Sequence, residues 1–579
     1  LCLVLLFALC LAGCNAGDIS GGSVNPDHGN SGEGGGETPG GNNGNGEGGD
    51  NSPSGEKPSA EPTSWTEGLT YLLNDDGRSY TCTGIGTATG RHIVIPSLYN
   101  GLPVTGVGSR AFSNCASLTS ITIPDGVTEI GYRAFEYCSS LTNIAIPDSM
   151  ASIDSYAFDG CHNLVYTTYD NAKYLGNAQN PYVVLTNAND RSITSCAIHP
   201  DTKVIYYYAF YGCKSLTSVT IPDNVTEISY DAFYGCSSLV YTTYDNAMYL
   251  GNAQNPYLAL VKANDTSITS CTIHPDTRMI YYYAFSTCAS ISRITIPDSV
   301  TKINATAFAN CSSLMSMVVS GGNRVYHSSG NCIIESARKT LVAGCKNSVI
   351  PFDGSVTYIG MGAFYYCSAL TNITIPDSVA GIGSVAFYHC SSLTSITIPG
   401  SITKIGSSAF EGCSRLVYTI YDHAKYLGNT QNPYVVLVEA NGTSITSCTI
   451  HPDTKYIYIS AFHDCKFLTS VTIPDGVAKI DDHAFRNCSA LTSISIPDSV
   501  TGIDSSAFSG CKFLTSITIP DSVTWIDSFA FSDCSSLTSI TFTGTMAQWK
   551  AIWKGDWWNC NTGSYTVHCT DGDLTKEEA

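Results

Sequence analysis

Positive charge is scarce in this sequence: 28 Lys and Arg stand against 48 Asp and Glu, for a net charge of −20. An acidic surface repels phosphates, which excludes nucleic acid as a partner and direct binding to anionic lipid. Charged residues of both signs make up only 13%, so the surface is neutral and rich in Thr, Ser, Tyr and Gly rather than laced with salt bridges. The 25 cysteines contain no CxxC pair and no Cys/His cluster with ligand spacing, so the usual zinc and redox motifs are missing. GxSxG, HExxH and a phosphate loop are missing too, and the 12 histidines are scattered. The chain is not built like an enzyme, and nothing in it asks for a cofactor.

Long apolar runs are also lacking. The stretch LCLVLLFALCLA at 1–12 is shorter than the ~20 residues that span a bilayer and fits the apolar core of a signal peptide. Position 1 is Leu, with no Lys or Arg before the run, so the charged start of the signal is expected to be missing. Leu11-Ala12-Gly13-Cys14 resembles the bacterial lipobox, whose Cys is diacylated and becomes the mature N-terminus. Two acyl chains anchor stably at ~0.8 kcal/mol per buried CH₂, and they give the only expected membrane contact. Residues 14–64 follow as a lipid-anchored tether: ten of the twenty residues 31–50 are Gly, a composition that cannot bury a core. A flexible chain of this length has an r.m.s. span of roughly 40 Å.

What is abundant is repetition. Ala-Phe-x-x-Cys recurs with its Phe at 112, 135, 158, 210, 233, 285, 308, 364, 387, 410, 462, 485, 508 and 531. Most steps are 23 residues and three are 52, which is 23 + 29; a fixed period of this size signals a solenoid. In Leu118-Thr-Ser-Ile121-Thr-Ile123-Pro124, Leu118, Ile121 and Ile123 face inward from a short strand that Pro124 closes. Asp125-Gly126 turns the chain, Val127 and Ile130 point inward again, and Ala134-Phe135 with Cys138 is expected to close the circuit as a short helical or 3₁₀ turn. One unit cannot bury its apolar side alone, whereas stacked units share a core. Eighteen inward Leu or equivalent positions, from 118 to 537, predict a curved stack of parallel short strands roughly 80 Å long.

These motifs resemble the BspA-type leucine-rich-repeat bacterial surface proteins over about residues 78–571. TGIGTATGRHIVIPSLYNGLPVTGVGSRAF (83–112) is similar to that family's N-terminal cap, and FTGTMAQWKAIWKGDWWNCNTGSYTVHCTDG to its C-terminal cap. The resulting division is a lipoprotein signal (1–13), the tether (14–64), an N-terminal cap (65–110), the solenoid with hairpin insertions (111–541) and a Trp-rich cap and tail (542–579). The resemblance implies a surface-exposed, lipid-anchored protein of the bacterial envelope, an adhesin for host or microbial extracellular proteins or glycans. A passive surface layer without a dedicated ligand is the alternative, and a hydrolase with an unrecognised site is a third.

The candidate sites follow from where the repeat varies. The Cys of the repeat reads as a small buried hydrophobe in a ladder, while Cys560 and Cys569 could bridge. The Asp after the strand Pro, as in Asp125 and Asp148, could stack as a calcium ladder, but Asp is an ordinary turn residue and the GGxGxD pattern is absent. The Thr/Ser positions beside Ile121 and its equivalents are expected to form a concave hydroxyl face. Trp549, Trp553, Trp557 and Trp558 could seal the last repeat or offer a carbohydrate platform. Three 29-residue units, starting at Leu164, Leu239 and Leu416, carry Tyr-Leu-Gly-Asn-x-x-Asn-Pro-Tyr. They are expected to project as hairpins, making Tyr174, Tyr182, Tyr249, Tyr257, Tyr426 and Tyr434 the candidate contacts; a padded turn packed on its neighbours is the other reading. Residues 320–345 form another insertion.

Overall fold

The computed structural model describes residues 65–74, 77–304, 306–555 and 557–578. The signal, Cys14 and the tether lie outside the described residues. No described helix is long and apolar enough to cross a membrane.

The chain is a β-solenoid of about 21 turns with a 23-residue period. The eighteen expected turns are extended by the caps: His92–Val94 pairs in parallel with Ser120–Thr122, and Thr566–Cys569 continues from Ser539–Phe542. Each coil holds two short strands. The first, as in Ser120–Thr122, pairs with Asn143–Ala145 so that Ile121 faces Ile144. The second has only two residues, as in Glu129–Ile130, and pairs with Ser152–Ile153. This period-23 register puts Leu118, Ile121, Ile123, Val127 and Ile130 in one core, each at most 3% exposed.

The Ala-Phe-x-x-Cys turn differs from the expected helical form. The residues two before and two after each repeat Phe have positive φ, as at Arg110 (56°) and Asn114 (61°) around Phe112. A left-handed residue at every fourth position interrupts any helix. The reason lies in the hydrogen bonds. Arg110, Phe112 and Asn114 donate their N–H groups to Tyr132, Ala134 and Glu136 of the next coil, while Ala111, Ser113 and Cys115 close turns onto Gly108, Arg110 and Phe112. Alternate N–H groups therefore point along the axis and within the coil, and the backbone is satisfied without a helix. Gly, Asn or Asp fills the second of these positions in ten of the fourteen copies, the residues that tolerate it best.

The repeat Phe rings stack in parallel, 5.4 Å between Phe112 and Phe135 and 5.3 Å between Phe485 and Phe508. Each buried ring contributes roughly 1.5–3 kcal/mol.

The 29-residue units are not projecting hairpins. Thr167–Tyr169, Ala172–Leu175 and Val184–Ala188 form an antiparallel meander, and Val184–Ala188 then pairs in parallel with Val204–Ile205. Side chains from both faces are buried. Ala172, Tyr174 and Leu185 pack into the core that follows, and Leu175, Val183 and Val184 into the core that precedes. The same division recurs at Tyr249 and Leu250 and at Tyr426 and Leu427. Each unit is a bulkhead across the stack.

Beside the second strands, side chains meet across the insertions: Lys302 Nζ lies 2.8 Å from Glu227 Oε2, and the Tyr283 and Tyr365 rings are 6.3 Å apart. Bonds on the Thr/Ser side run one coil at a time, as from Thr538 Oγ1 to Thr515 O.

Candidate functional site

Two of the repeated hydroxyl positions are consumed by the stack. Thr142, Thr217 and Thr515 donate their hydroxyls to the carbonyls of Thr119, Thr194 and Thr492, one coil back, at 2.9–3.1 Å. The Ser of the Pro-Asp-Ser turn does the same: Ser499 Oγ to Val477 O is 2.6 Å and Ser522 Oγ to Val500 O is 2.7 Å. These consensus hydroxyls are inter-coil ties.

The repeat cysteines are free, and most are buried. They are more than small hydrophobes: Cys138 Sγ donates to Phe112 O at 3.0 Å and Cys488 Sγ to Phe462 O at 3.1 Å, so each thiol satisfies a carbonyl of the preceding coil. Burial pushes the Cys82 and Cys534 thiols up to about 12. Cys560 and Cys569 are free rather than bridged, and the Cys560 sulfur lies 3.0 Å from Ser532 Oγ.

The six candidate tyrosines separate into two sets. Tyr174, Tyr249 and Tyr426 are fully buried, so these rings do not project; each hydroxyl accepts a backbone N–H, from His199, His274 and His451 respectively. Tyr182, Tyr257 and Tyr434 are half-buried and lie flat on those same histidines at 3.6–3.7 Å. Tyr169, Tyr244 and Tyr421 pack edge-on against the pair, as Tyr169 does on His199 at 4.7 Å. The Asn residues hold the loop: Asn177 Oδ1 accepts from Gln179 N and Asn180 N while its amide donates to Ile146 O. Gly176 is required because a Cβ there would collide with the Asn180 carbonyl. Asp148, one of the post-Pro aspartates, accepts from Asn180 Nδ2 at 2.7 Å and so ties the insertion down.

At the C-terminal cap, the helix Met546–Ala551 begins with a Thr545/Gln548 capping box. Trp549 and Trp558 are buried, and Trp558 packs edge-on against Phe531 at 6.1 Å, ending the Phe stack. Trp557 is 68% exposed. Burial pushes Lys554, which donates to the carbonyls of Trp549 and Ile552, down to about 8.

The second-strand side carries side chains that vary between coils and that sequence reasoning missed. Its rings form a row: Tyr132–Tyr156 at 6.0 Å, Tyr156–Tyr207 at 5.0 Å, Tyr207–Tyr230 at 6.5 Å, Tyr230–Tyr283 at 5.9 Å, Tyr283–Tyr365 at 6.3 Å and Tyr365–Tyr388 at 5.3 Å. The available signal was the triple Tyr before Ala-Phe at 206–208 and 281–283. Acids share this face. Glu227 takes Lys302, and Asp504 takes Lys479 at 2.9 Å with Asp481 3.5 Å from the same ammonium. Asp481, Asp482 and Asp504 are the one acidic group among the described residues with ligand atoms within 4.8 Å of one another, and Lys479 already occupies it. A cavity of about 180 Å³ opens at the N-terminal end of the face, lined by Thr81, Ser109, Glu129, Ser152 and Asp154 over a floor that includes Gly108 and Gly131. The surrounding walls raise the Asp154 carboxyl above its usual range, and Glu129 adds to this.

The chain belongs to the BspA type leucine-rich-repeat family, whose repeat region matches residues 92–178, 187–255, 261–333, 335–429 and 440–555 in six copies. Among solved structures it is similar to a leucine rich cell surface protein from Faecalibacterium prausnitzii A2-165, at 25% identity over 85% of this chain and 98% of that one, with a TM-score of 0.24. It is also similar to a leucine-rich repeat protein from Bacteroides ovatus ATCC 8483, at 24% identity over 87% and 100% of the two chains, with a TM-score of 0.22. One from Eubacterium ventriosum ATCC 27560 gives 22% over 77% and 93%, with a TM-score of 0.28. Superpositions this weak carry no argument about the site. No curated protein matches the sequence.

Proposed function

We propose that this protein is a bacterial surface adhesin: a scaffold held to the envelope through Cys14 that binds an extracellular host or microbial protein or glycan without catalysing a reaction. The observation that carries the reading is the contrast between invariant and variable groups. The consensus hydroxyls, as at Thr515 and Ser522, recur from coil to coil and tie the coils together, whereas the tyrosines and acids on the second-strand side differ from coil to coil. In a repeat protein, recognition belongs on positions that vary across an extended surface. The name of the Faecalibacterium protein, a leucine rich cell surface protein, supports the location. Tyr182, Tyr257 and Tyr434, with the 36–39% exposed rings of Tyr169 and Tyr244, remain candidate contacts at the bulkhead rims; Tyr174, Tyr249 and Tyr426 would support them from beneath.

Two measurements test this. The full chain applied to an array of extracellular-matrix proteins and glycans should show saturable binding; none would favour a passive surface layer. Cys14→Ala should move the protein from the membrane fraction to the medium. Retention in the membrane, with no diacyl group on the wild type by mass spectrometry, would overturn the anchor.

A further inference from the structure

On the second-strand side, three of the chain's own cations are seated on rings or carboxylates. The Arg133 guanidinium lies over the Tyr132 and Tyr156 rings at 5.0 and 5.6 Å and pairs with Glu136 at 3.2 Å. Lys302 sits on Glu227, and Lys479 sits on Asp504 beside Asp481. At these three places ring faces and carboxylates on this side seat the ammonium and guanidinium groups that the chain supplies. At the N-terminal end the same coil positions hold Glu129 and Asp154, both exposed, and among the described residues no ion pair to either carboxylate is present. Between them opens the cavity of about 180 Å³, ringed by the hydroxyls of Thr81, Ser109 and Ser152.

We propose that this cavity, with the adjoining Tyr132–Tyr156 pair, is a docking surface for a lysine-bearing segment of a protein partner, the lysine ammonium lying between Glu129 and Asp154. Charge complementarity selects the occupant: the chain carries −20, the cavity presents two carboxylates, and an ammonium has three donors for them and the hydroxyls. A neutral glycan offers no such charge. The backbone of the partner segment would run along the tyrosine row, where apolar ring bodies and polar tips suit a peptide. The inference rests on the adhesion reading and narrows it to a protein ligand.

The test uses the full chain and three labelled decapeptides: one alternating Lys and Ser, the same peptide acetylated on every Lys, and one alternating Glu and Ser, each followed by fluorescence anisotropy. The Lys peptide should bind and the other two should not. Glu129→Gln/Asp154→Asn should weaken the Lys peptide by ~10-fold or more, in the range reported for close charge pairs at interfaces. Asp475→Asn/Asp498→Asn, which removes the same charge from exposed turns, should change affinity less than ~2-fold. Equal loss in both double variants would reduce the effect to net charge and overturn the site. Undiminished binding of the acetylated peptide would overturn the ammonium as ligand, and no binding of the Lys peptide would overturn the proposal outright. An array ligand whose affinity ignores Glu129→Gln/Asp154→Asn would sink this inference while leaving adhesion standing. An array with no ligand at all, beside a bound Lys peptide, would do the reverse.

Discussion

Each of the three 29-residue units and the insertion at 320–345 adds a coil without the Ala-Phe-x-x-Cys turn, so each leaves the Phe stack one ring short. After the three units, the residue four before the next Phe is Tyr206, Tyr281 or Tyr458. Tyr206 packs on Phe158 at 5.5 Å and Tyr458 on Phe410 at 6.0 Å. The hydroxyls of Tyr281 and Tyr458 reach the backbone of the coil two before: Tyr458 donates to Gly406 O and accepts from Ala409 N. After the fourth insertion the equivalent residue is Gly360, and a cavity of about 20 Å³ lies between the Phe308 and Phe364 coils, room for one water-sized group. An inserted coil is thus tolerated in this fold if the next coil returns a ring to the stack; where it does not, the core stays open.

The strongest way to break this comparison is to turn a filled seam into an unfilled one. Tyr458→Ala removes a buried ring and leaves the Ala409 and Gly406 groups short of a partner. We expect a loss of about 3–5 kcal/mol, read as faster amide exchange across residues 400–465 and a lower urea midpoint. A change below about 1 kcal/mol would mean the ring is dispensable and the analogy with the Gly360 seam is empty.

The loop ties should not distinguish the two kinds of insertion. Asn429 bonds Ile398 O through its amide and accepts from Gln431 N and Asn432 N. Asn323 plays the same part in the fourth insertion, bonding Pro297 O and Val300 O and accepting from Val325 N and Tyr326 N. Asn429→Ala and Asn323→Ala should each cost about 1–3 kcal/mol in denaturant unfolding, the penalty for stranded backbone groups. A much smaller cost at Asn323 would show that the fourth insertion is loosely held throughout, not only at its missing ring.

The period, the inward positions and the C-terminal seal were legible because burial imposes the same demand in every coil: Leu118, Ile121 and Phe135 could be read from pattern alone. The second strand and the left-handed turns were less visible, since a two-residue ladder such as Glu129–Ile130 leaves almost no alternation to detect. Tyr174 was misjudged because an aromatic residue in an insertion resembles a surface contact. Only the tertiary stack shows that the unit lies across the core with both faces buried. The row of tyrosines depends on how coils stack across the insertions, which brings Tyr283 to Tyr365 across 82 residues and has no local signature.

Acidity offers a smaller test, centred on the stack beyond the third unit. Burial, then the charges of Asp481 and Asp527, pushes the Asp482 carboxyl up to about 6. Its folded pKa exceeds the unfolded value of about 3.9. The favourable contribution is therefore full below that value and is lost as pH rises through about 6. His483, pushed down to about 4 mainly by burial, opposes this as pH falls through its unfolded range, so the comparison must be between variants. Asp482→Asn should be about 1 kcal/mol more stable than wild type at about pH 7.5, allowing for solvent screening, with the gain roughly halved near about pH 5 and gone below about pH 4. A gain independent of pH would assign the effect to something other than ionisation.

The smallest expected effect separates the two seams by their thiols. Cys367 is half-buried and, with Cys311 and Cys345, lines the cavity left by the missing ring. Cys465, Cys488 and Cys511 belong to an unbroken run of coils, and Cys488 and Cys511 each donate to a Phe carbonyl one coil back. Burial pushes Cys367 up to about 12 and Cys465 up to about 11, so thiolate is rare at both sites near neutrality, and alkylation is limited by local opening as well as by ionisation. The higher value at Cys367 alone would make it the slower thiol. A seam that opens more readily must overcome that handicap. In a timed iodoacetamide pulse on the native protein, read by peptide mass spectrometry, Cys367 should therefore label a few-fold faster than Cys465, and urea should erase the difference. Equal native rates would mean that the cavity between Phe308 and Phe364 does not weaken its seam. Faster labelling at Cys488 or Cys511 would place the weak point of the stack among its most regular coils.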